Sequence, residues 1–348
     1  MIVYVDENGN ALSSVTSGQI ATVAPTTYVA TSVYVAPTST SVYVAPTTTA
    51  AAATTTAAAS SSKATSKASS ATSSAASSSS SSADGPSGYG LVYSPYMDDG
   101  NCKTADQVSG DFESISGYSF VRAYGTDCNQ VSTILAAAKA KGMKLFLGIY
   151  DITAVTSEIQ TIISAVGSDW DMVDTISIGN EGVNNGQYTV SAVVAAISTA
   201  RGLLKSTSFS GNVVTVDTFV ATIANPELCE ASDYAAVNCH PFFDGGVTAD
   251  QAGTFVLEQM QRVSSACGGK NTWITETGWP TKGNSNNKAV PGTAEQSTAI
   301  SAIRSAISKN VILFSAFNDY WKSDNSGTYG CEKYWGMFGS SKYSTTSE

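Results

Sequence analysis

The chain has 348 residues, 13% of them charged, with a formal net charge of −10 and a single histidine. The negative charge argues against binding to nucleic acid, whose phosphates need a basic surface, and against a polybasic membrane attachment. One histidine and the absence of any Cys-x-x-Cys pair argue against a metal site, and no nucleotide-binding glycine motif or Gly-x-Ser-x-Gly motif occurs.

Two low-complexity regions open the chain. In residues 1–46 a Tyr-Val-Ala unit recurs at Tyr28, Tyr34 and Tyr43 between prolines, and we expect disorder there, with a strand docked on the next domain as the alternative. In residues 47–83, 35 of 37 residues are Ala, Ser or Thr. Such a segment cannot offset its ordering entropy, and it indicates an O-glycosylated stalk on a secreted protein. No signal peptide is visible after Met1, and because the stalk implies secretion we expect that a leader has been removed. We find no span of apolar residues long enough for a membrane.

The remaining residues, 84–348, have the length of one (β/α)₈ barrel. Eight apolar or β-branched runs alternate with Ala-rich segments of helical spacing, about 31 residues apart on average. The predicted strands are 91–94, 120–124, 144–150, 175–179, 213–218, 234–238, 272–275 and 311–317, and the predicted helices include 131–141, 159–166, 190–205, 252–266 and 294–308. Barrels place their chemistry at the carboxyl ends of the strands, so candidate residues are sought there.

Six cysteines lie in this part of the chain, an even number that fits an oxidised protein. Cys102 and Cys128 follow the first and second predicted strands, which are neighbours in a barrel, so we predict that they form a disulfide. In the chain-entropy model its ring of about 27 residues contributes about 3 kcal/mol. The other four, at positions 229, 239, 267 and 331, are expected to pair among themselves or to stay partly free.

Two glutamates follow the fourth and seventh predicted strands. Glu181 lies in Gly-Asn-Glu-Gly and Glu276 in Thr-Glu-Thr-Gly-Trp-Pro, three βα units of about 32 residues apart. Both would project into the barrel mouth from opposite sides. Glycoside hydrolysis requires two such carboxyls, one protonated to assist the leaving group and one ionised to attack or to activate water. The alternative is that each glutamate only caps a helix or faces solvent.

Several strings together resemble glycoside hydrolase family 17. They are Gly-Leu-Val-Tyr-Ser-Pro-Tyr (90–96), Val-Arg-Ala-Tyr-Gly (121–125), Leu-Phe-Leu-Gly-Ile-Tyr-Asp (145–151), Ile-Gly-Asn-Glu (178–181), Val-Asn-Cys-His-Pro-Phe-Phe (237–243), Ile-Thr-Glu-Thr-Gly-Trp-Pro (274–280) and Phe-Asn-Asp-Tyr-Trp-Lys (317–322). The pattern is most similar to the fungal branch of soluble cell-wall glucanases and glucanosyltransferases, and it extends over residues 88–338. The resemblance implies a (β/α)₈ barrel with its catalytic residues on strands four and seven.

The resemblance also implies residue roles. Glu181 is expected to be the general acid/base and Glu276 the nucleophile, with carboxyls about 5 Å apart as retention requires. Asn180 is expected to hydrogen-bond the sugar 2-hydroxyl. Arg122 would keep the nucleophile ionised, the alternative being a surface or barrel-bottom ion pair. His240 stands where related enzymes carry a tyrosine, and whether it donates to the nucleophile or only packs and binds sugar is left open.

Aromatic side chains could line the sugar cleft by stacking on the flat faces of glucose, although some must belong to the core. They are Tyr93, Tyr96, Tyr124, Phe242, Phe243, Trp279 and Trp321, of which Tyr124 and Trp279 are the preferred ligand contacts. Asp319 and Lys322 occupy a position at which plant members of the family carry further charged residues. An ion pair that orders the eighth loop is the alternative for these two.

The implied function is a retaining β-1,3-glucan hydrolase or glucanosyltransferase that acts on fungal cell-wall glucan and gluco-oligosaccharides by double displacement. An acid and a nucleophile suffice for this chemistry, so we expect no metal or organic cofactor, and we expect a secreted, cell-wall monomer. One alternative is a non-catalytic glucan-binding mannoprotein or adhesin, and another is a glycosidase of different specificity. The presence of both glutamates favours an enzyme, and the 237–243 string favours family 17.

Overall fold

The computed structural model describes residues 88–346 and, before them, two strands, β1 (Ile2–Val5) and β2 (Ala11–Val15). These strands pair antiparallel, with Ile2 opposite Val15, in a hairpin that the sequence analysis did not predict. Both strands fall within residues 1–46, the region for which we expect disorder. The Tyr-Val-Ala units that begin at Tyr28, Tyr34 and Tyr43 and the expected stalk at 47–83 lie outside the described residues.

Eight parallel strands close into a barrel in which each strand pairs with the next in the chain and the last pairs with the first. The strands are β3 (Tyr89–Val92), β4 (Phe120–Arg122), β5 (Lys144–Ile149), β6 (Val173–Asn180), β7 (Asn212–Thr218), β8 (Ala235–Asn238), β9 (Thr272–Thr277) and β10 (Val311–Leu313). All eight predicted strands are therefore present, and the predicted (β/α)₈ barrel is confirmed.

Helices follow the strands around the barrel. They are α1 (Ala105–Ser114), α2 (Gln130–Lys141), α3 (Val155–Val166), α4 (Val190–Leu204), α5 (Phe219–Ala224), α6 (Glu227–Glu230), α7 (Ala252–Ala266) and α8 (Thr293–Ala306), with 3₁₀ turns at Asp127–Asn129, Ile152–Ala154, Trp170–Met172, Pro241–Asp244 and Ala249–Gln251. The five predicted helices are confirmed. Helix α1 escaped prediction because it buries only Val108 and Phe112 as large apolar residues, and its start depends on a capping box between Thr104 and Gln107. No helix within the described part of the chain is long and apolar enough to cross a membrane.

Large aromatic side chains fill the lower barrel. The rings of Phe120 and Trp273 are 5.5 Å apart although β4 and β9 are not neighbours, so both point inward. Tyr234 packs on Trp273 at 5.6 Å. Gly90 on β3 is needed here, because a Cβ at that position would lie 2.1 Å from the Phe120 ring. Arg122 lies two residues beyond Phe120 and therefore points inward one layer higher.

Two disulfides brace the barrel. Cys102 bonds to Cys128, which confirms the predicted pair. Cys229 in α6 bonds to Cys267 at the end of α7, so two of the remaining four cysteines pair among themselves. Cys239 and Cys331 are buried free thiols.

Candidate active site

Two irregularities in the barrel aim the glutamates at its mouth. The β6–β7 pairing shifts register between Ser177 and Asn180, and the β8–β9 pairing shifts where Asn238 lies opposite Glu276. A bulge of this kind adds one residue to a strand and redirects the side chains beyond it. On β6 the extra residue is accommodated by Gly179, at φ 82°, and Glu181 follows at φ 54°. Both glutamates therefore leave the regular alternation of their strands at the carboxyl end.

Glu276 is buried among three hydrogen-bond donors. Its Oε1 accepts from Arg122 Nη1 at 3.0 Å and from the Tyr124 hydroxyl at 2.7 Å, and its Oε2 lies 3.1 Å from His240 Nε2. Burial by itself would raise the pKa of Glu276, but the charge of Arg122 and the hydrogen bonds from His240 and Tyr124 outweigh burial and lower this pKa to about 2. This carboxyl is ionised at any physiological pH.

Arg122 holds the centre of the site together. Its side chain is fully buried at the end of β4. Besides the ion pair with Glu276, its Nη1 donates to the Thr275 carbonyl at 2.8 Å and its Nη2 donates to Asn180 Oδ1 at 2.8 Å. The guanidinium also lies 4.5 Å from the centre of the Tyr124 ring. Arg122 thus belongs to the mouth of the barrel, and the alternative of a surface or barrel-bottom ion pair does not apply.

Glu181 has fewer hydrogen-bond donors around its carboxyl than Glu276 has. Its side chain is half-buried, and its Oε1 accepts a hydrogen bond of 2.8 Å from Asn238 Nδ2, a neutral donor. Burial and the nearby charge of Glu276 raise the pKa of Glu181 to about 7. One carboxyl is thus protonated at a pH at which the other is ionised, which is the division of labour between an acid and a nucleophile.

Asn238, at the end of β8, connects Glu181 to Asn180 and Arg122, and the sequence analysis did not single it out. Its Nδ2 donates to Glu181 and, at 3.1 Å, to Asn180 Oδ1, whereas its Oδ1 accepts from Arg122 Nη1 at 3.2 Å and from the Thr275 hydroxyl at 2.9 Å. Asn238 lies within the 237–243 string at the end of a predicted strand. The rule that led to the glutamates could therefore have found it.

Comparison with known proteins identifies the family of this barrel. Residues 90–336 match the family model described as the BtgE/BtgC glycoside hydrolase domain. The chain belongs to this family. It is 50% identical over 252 residues to a cell surface mannoprotein of Candida albicans, a match that covers 72% of this chain and 66% of that protein. It is also 50% identical over 254 residues to a probable family 17 glucosidase of Saccharomyces cerevisiae, covering 72% of this chain and 64% of the relative.

The chain thus spans slightly less than two thirds of the length of these curated relatives. Among solved structures, the family 17 β-1,3-glucanosyltransferase of Rhizomucor miehei superimposes with a TM-score of 0.63 at 25% identity, covering 74% of this chain and 95% of that one. The predicted resemblance to glycoside hydrolase family 17 is confirmed.

In this family 17 domain, His240 contacts the buried carboxylate directly. Because Glu276 is ionised and can only accept, Nε2 of His240 must carry the hydrogen. The imidazole is surrounded by aromatic rings at centroid distances of 4.9 Å (Trp335), 5.3 Å (Phe314) and 6.0 Å (Phe243). Sequence reasoning missed Trp335, which lies outside the strings that carry the family pattern. His240 is therefore placed to donate to Glu276 as well as to pack among these rings.

Two aromatic residues that we expected to contact ligand belong to the core instead. Trp279 is 0% exposed and its indole N–H donates to the Val290 carbonyl at 2.8 Å. Tyr93 is 1% exposed and its hydroxyl donates to Asp111 Oδ2 at 2.8 Å. Neither ring has a free face for a sugar, so both expectations are corrected. Phe243, by contrast, is 39% exposed beside His240.

The loop after β10 carries the predicted charged pair. Lys322 Nζ lies 3.5 Å from Asp319 Oδ2 and 4.6 Å from the centre of the Phe314 ring. The indole N–H of Trp321 donates to Asp319 Oδ1 at 3.1 Å, and this ring is 38% exposed and packs on Tyr96 at 4.9 Å. The ion pair that orders the loop, considered as an alternative, is therefore present, and it orients one exposed aromatic ring.

The polar side chains of the site are two glutamates, two asparagines, an arginine, a tyrosine and a histidine. Within residues 88–346, no group of three or more His, Cys, Asp or Glu side chains is arranged to hold a metal ion. What the arrangement does offer is a carboxyl with a raised pKa, a carboxylate with a lowered pKa, and an asparagine and an arginine in series between them.

Proposed function

We propose that this protein is a retaining β-1,3-glucan hydrolase or glucanosyltransferase, with Glu276 as the nucleophile and Glu181 as the general acid/base. The observation that carries the proposal is the contrast between two carboxyls at the barrel mouth. Glu276 accepts from Arg122, Tyr124 and His240 and has its pKa lowered to about 2, whereas Glu181 accepts from Asn238 and has its pKa raised to about 7. In the retaining mechanism the nucleophile must be ionised and the acid must hold its proton before the reaction begins.

The contacts of Glu276 indicate which oxygen attacks. Oε1 accepts two hydrogen bonds, from Arg122 and Tyr124, whereas Oε2 accepts one, from His240. Because a carboxylate oxygen has two in-plane lone pairs, Oε2 keeps one for the anomeric carbon. Attack by Oε2 forms a glycosyl ester while Glu181 protonates the departing glycosidic oxygen.

The second half-reaction uses the same two groups in reversed roles. Once Glu276 is esterified its negative charge is gone, and that charge is one of the causes that raise the pKa of Glu181. Glu181 then ionises more readily and can accept a proton from the incoming water or sugar hydroxyl as general base. Water gives hydrolysis and a second glucan gives transfer.

Asn180 is placed to recognise the sugar that reacts. Its Oδ1 accepts from both Arg122 and Asn238, so its NH₂ group is the part of the amide that can turn to a ligand. A hydrogen bond from this group to the sugar 2-hydroxyl would strengthen as the oxocarbenium-like transition state develops.

The substrate class comes from the relatives. The solved Rhizomucor miehei enzyme is named a β-1,3-glucanosyltransferase and the Saccharomyces cerevisiae relative a probable family 17 glucosidase. A non-catalytic glucan-binding protein is the less favoured function, since binding alone gives no reason to bury two carboxyls beside each other and to hold one of them protonated.

The decisive experiment follows products from linear β-1,3-gluco-oligosaccharides by NMR and mass spectrometry. We expect the β-anomer to appear first, and products longer than the substrate if transfer occurs. A 2-deoxy-2-fluoro glucosyl donor with a good leaving group should label Glu276 covalently. First release of the α-anomer, or labelling of a different residue, would contradict the double displacement and its expected carboxyl separation near 5 Å.

The location and domain boundaries form a second part of the proposal. We assign chemistry to residues 84–348, and location in the cell wall to the repeat of 1–46 and the Ser/Thr/Ala-rich stalk of 47–83. One relative is named a cell surface mannoprotein, and every site residue described above lies within 88–346. A fragment beginning at Asp84 should keep full activity on soluble oligosaccharides and lose retention in the wall. Loss of turnover in the fragment would contradict this boundary.

A further inference from the structure

The backbone that carries Glu181 is strained and needs support. Glu181 has φ 54°, a left-handed conformation that is unfavourable for residues with a Cβ and persists only where the surroundings impose it. The chain then turns tightly: Asn185 N–H donates to the Glu181 carbonyl and Gly186 N–H to the Val183 carbonyl, both at 3.0 Å. A shift of this turn would move the Glu181 carboxyl.

Asp217, near the end of β7, clamps this turn from the neighbouring strand. Its Oδ2 accepts from Val183 N–H at 2.9 Å, and its Oδ1 accepts from Asn184 N–H at 3.2 Å and from Thr218 N–H at 2.8 Å. Thr218 reinforces the clamp, because its hydroxyl donates to Asn184 Oδ1 at 3.0 Å. Val183 and Asn184 are the second and third residues after Glu181, so the clamp acts on the turn itself.

A carboxylate is an unusual side chain for holding a turn at a buried position. The side chain of Asp217 is 2% exposed, and its hydrogen bonds come from backbone amides, with no lysine or arginine forming a salt bridge to it among the described residues. A buried carboxylate without a cation is expensive to desolvate. A neutral serine or threonine could accept some of these hydrogen bonds at lower cost. The negative charge itself therefore calls for an explanation.

We propose that Asp217 is a positioning residue for the reaction: its carboxylate holds the turn after β6 so that Glu181 faces the glycosidic oxygen. This inference rests on the proposed role of Glu181 as general acid/base. It adds a third carboxyl, on a third strand, which would not touch substrate.

The charged groups that face Glu181 act in both directions, and Asp217 is one of those that raise its pKa. Burial, the charge of Glu276 on β9 and the charge of Asp217 on β7 all raise the pKa of Glu181, while the Asn238 hydrogen bond and His240 lower it. The charge of Glu276 disappears when the glycosyl ester forms, but that of Asp217 remains. Asp217 therefore also keeps Glu181 a strong enough base for the second half-reaction.

The test is Asp217→Asn, assayed on two aryl β-laminaribiosides that differ in leaving group. Phenol departs only with a proton from the acid, whereas 2,4-dinitrophenolate departs without one. We expect kcat/KM to fall about 10- to 100-fold for the phenyl substrate and less than about threefold for the dinitrophenyl substrate. The alkaline limb of the phenyl profile should also move to lower pH, because removing the negative charge lowers the pKa of Glu181.

Two reference variants separate the outcomes. Asp174→Asn alters a partly buried carboxylate at the opposite end of β6, where Asp174 accepts from the Thr175 hydroxyl, and should match the wild type on both substrates. Glu181→Gln should lose the phenyl substrate selectively. If it does not, the proposed function is wrong whatever Asp217 does.

If Glu181→Gln behaves as expected while Asp217→Asn resembles the wild type, or loses both substrates equally with an unmoved pH profile, the role of Asp217 is overturned. Asp217→Ser keeps one acceptor for the turn and removes the charge, and it should show the same selective loss. It takes the place of Asp217→Asn if that variant does not fold.

Discussion

The surroundings of the two glutamates differ in partners far more than in burial. Glu276 receives a guanidinium, a phenol hydroxyl and an imidazole N–H, whereas Glu181 receives one neutral amide. Burial acts in the same direction on both and raises both pKa values. The number and charge of the hydrogen-bond donors therefore decide which carboxyl loses its proton. Strands β4, β8 and β9 bring these donors and their acceptors to the barrel mouth.

The side-chain amide of Asn238 is held in one orientation. Its oxygen is held by Arg122 and Thr275, which leaves its NH₂ to face Glu181 and Asn180. A carboxylate and a carboxylic acid can both accept from that NH₂, so the contact survives as Glu181 changes protonation state. The amide thus connects Glu181 to Arg122, which forms the ion pair with Glu276.

The largest expected effect comes from removing Glu276, the carboxylate that accepts from three hydrogen-bond donors. Glu276→Gln keeps the shape but deletes the proposed nucleophile, and we expect turnover of β-1,3-gluco-oligosaccharides to fall at least ~10⁴-fold. The variant should stay folded, with a native circular dichroism spectrum. Activity within tenfold of the wild type would show that the dense donor set around Glu276 serves something other than nucleophilic attack.

A smaller loss of activity is expected when Glu181, which accepts from one neutral donor, is replaced. Glu181→Ala should reduce turnover of natural oligosaccharides by about 10²- to 10⁴-fold, the range of a general acid/base. With an activated aryl substrate, added azide should restore turnover and yield a β-glycosyl azide, because the small anion needs no base and fits where the carboxyl was. Failure of azide to accelerate this variant would place the acid/base elsewhere.

The barrel and both glutamates could be predicted because each depends on local pattern. Eight β-branched runs spaced one βα unit apart determine the topology, and a polar residue directly after such a run is at the mouth. The disulfide between Cys102 and Cys128 followed from the same adjacency of strands. These features depend on strand order and little on how side chains pack.

The remaining features depend on tertiary packing. The register shifts that redirect Glu181 and Glu276 arise between strands that are distant in sequence. Trp279 looked like a ligand contact because it follows Glu276 closely, but its indole N–H finds the Val290 carbonyl and its ring turns inward. Tyr93 is likewise turned inward toward Asp111, on α1. No periodicity in the sequence records which way such a ring turns.

The two glutamates should change the thermal stability of the protein in opposite directions as the pH rises. The folded pKa of Glu181, about 7, exceeds its ordinary value of 4.5, so the unfolded chain ionises first and stability falls as pH rises from 4.5 to 7. Glu181→Gln removes that loss, on the order of 3 kcal/mol, and should melt several degrees above the wild type at pH 8 but together with it at pH 4.

Glu276 should behave in the reverse manner. Its folded pKa, about 2, is below 4.5, so it stabilises the protein above pH 4.5, and this stabilisation is lost as pH falls through 2. Glu276→Gln also leaves Arg122 buried without its anion, and it should melt below the wild type at pH 8. Melting curves by intrinsic fluorescence measure both variants. Equal shifts at pH 4 and pH 8 for Glu181→Gln would contradict its raised pKa.

The smallest expected effect is that of His240, one of the three donors to Glu276. His240→Phe fits the surrounding rings of Phe243, Phe314 and Trp335 but removes the N–H, and we expect kcat/KM at neutral pH to fall about tenfold, the value of one hydrogen bond to a charged group. The pKa of Glu276 must then rise, because burial is opposed only by Arg122 and Tyr124.

A nucleophile must be ionised, so the rise in this pKa moves the acidic limb of the pH profile of His240→Phe upward and makes the loss largest at low pH. His240→Gln, which can again place an N–H on Oε2, should recover most of the activity and return the limb toward that of the wild type. If both variants lose the same fraction at every pH, His240 supports the site by packing alone. The difference between the two glutamates would then rest on Arg122 and Tyr124, which hold the other oxygen of Glu276.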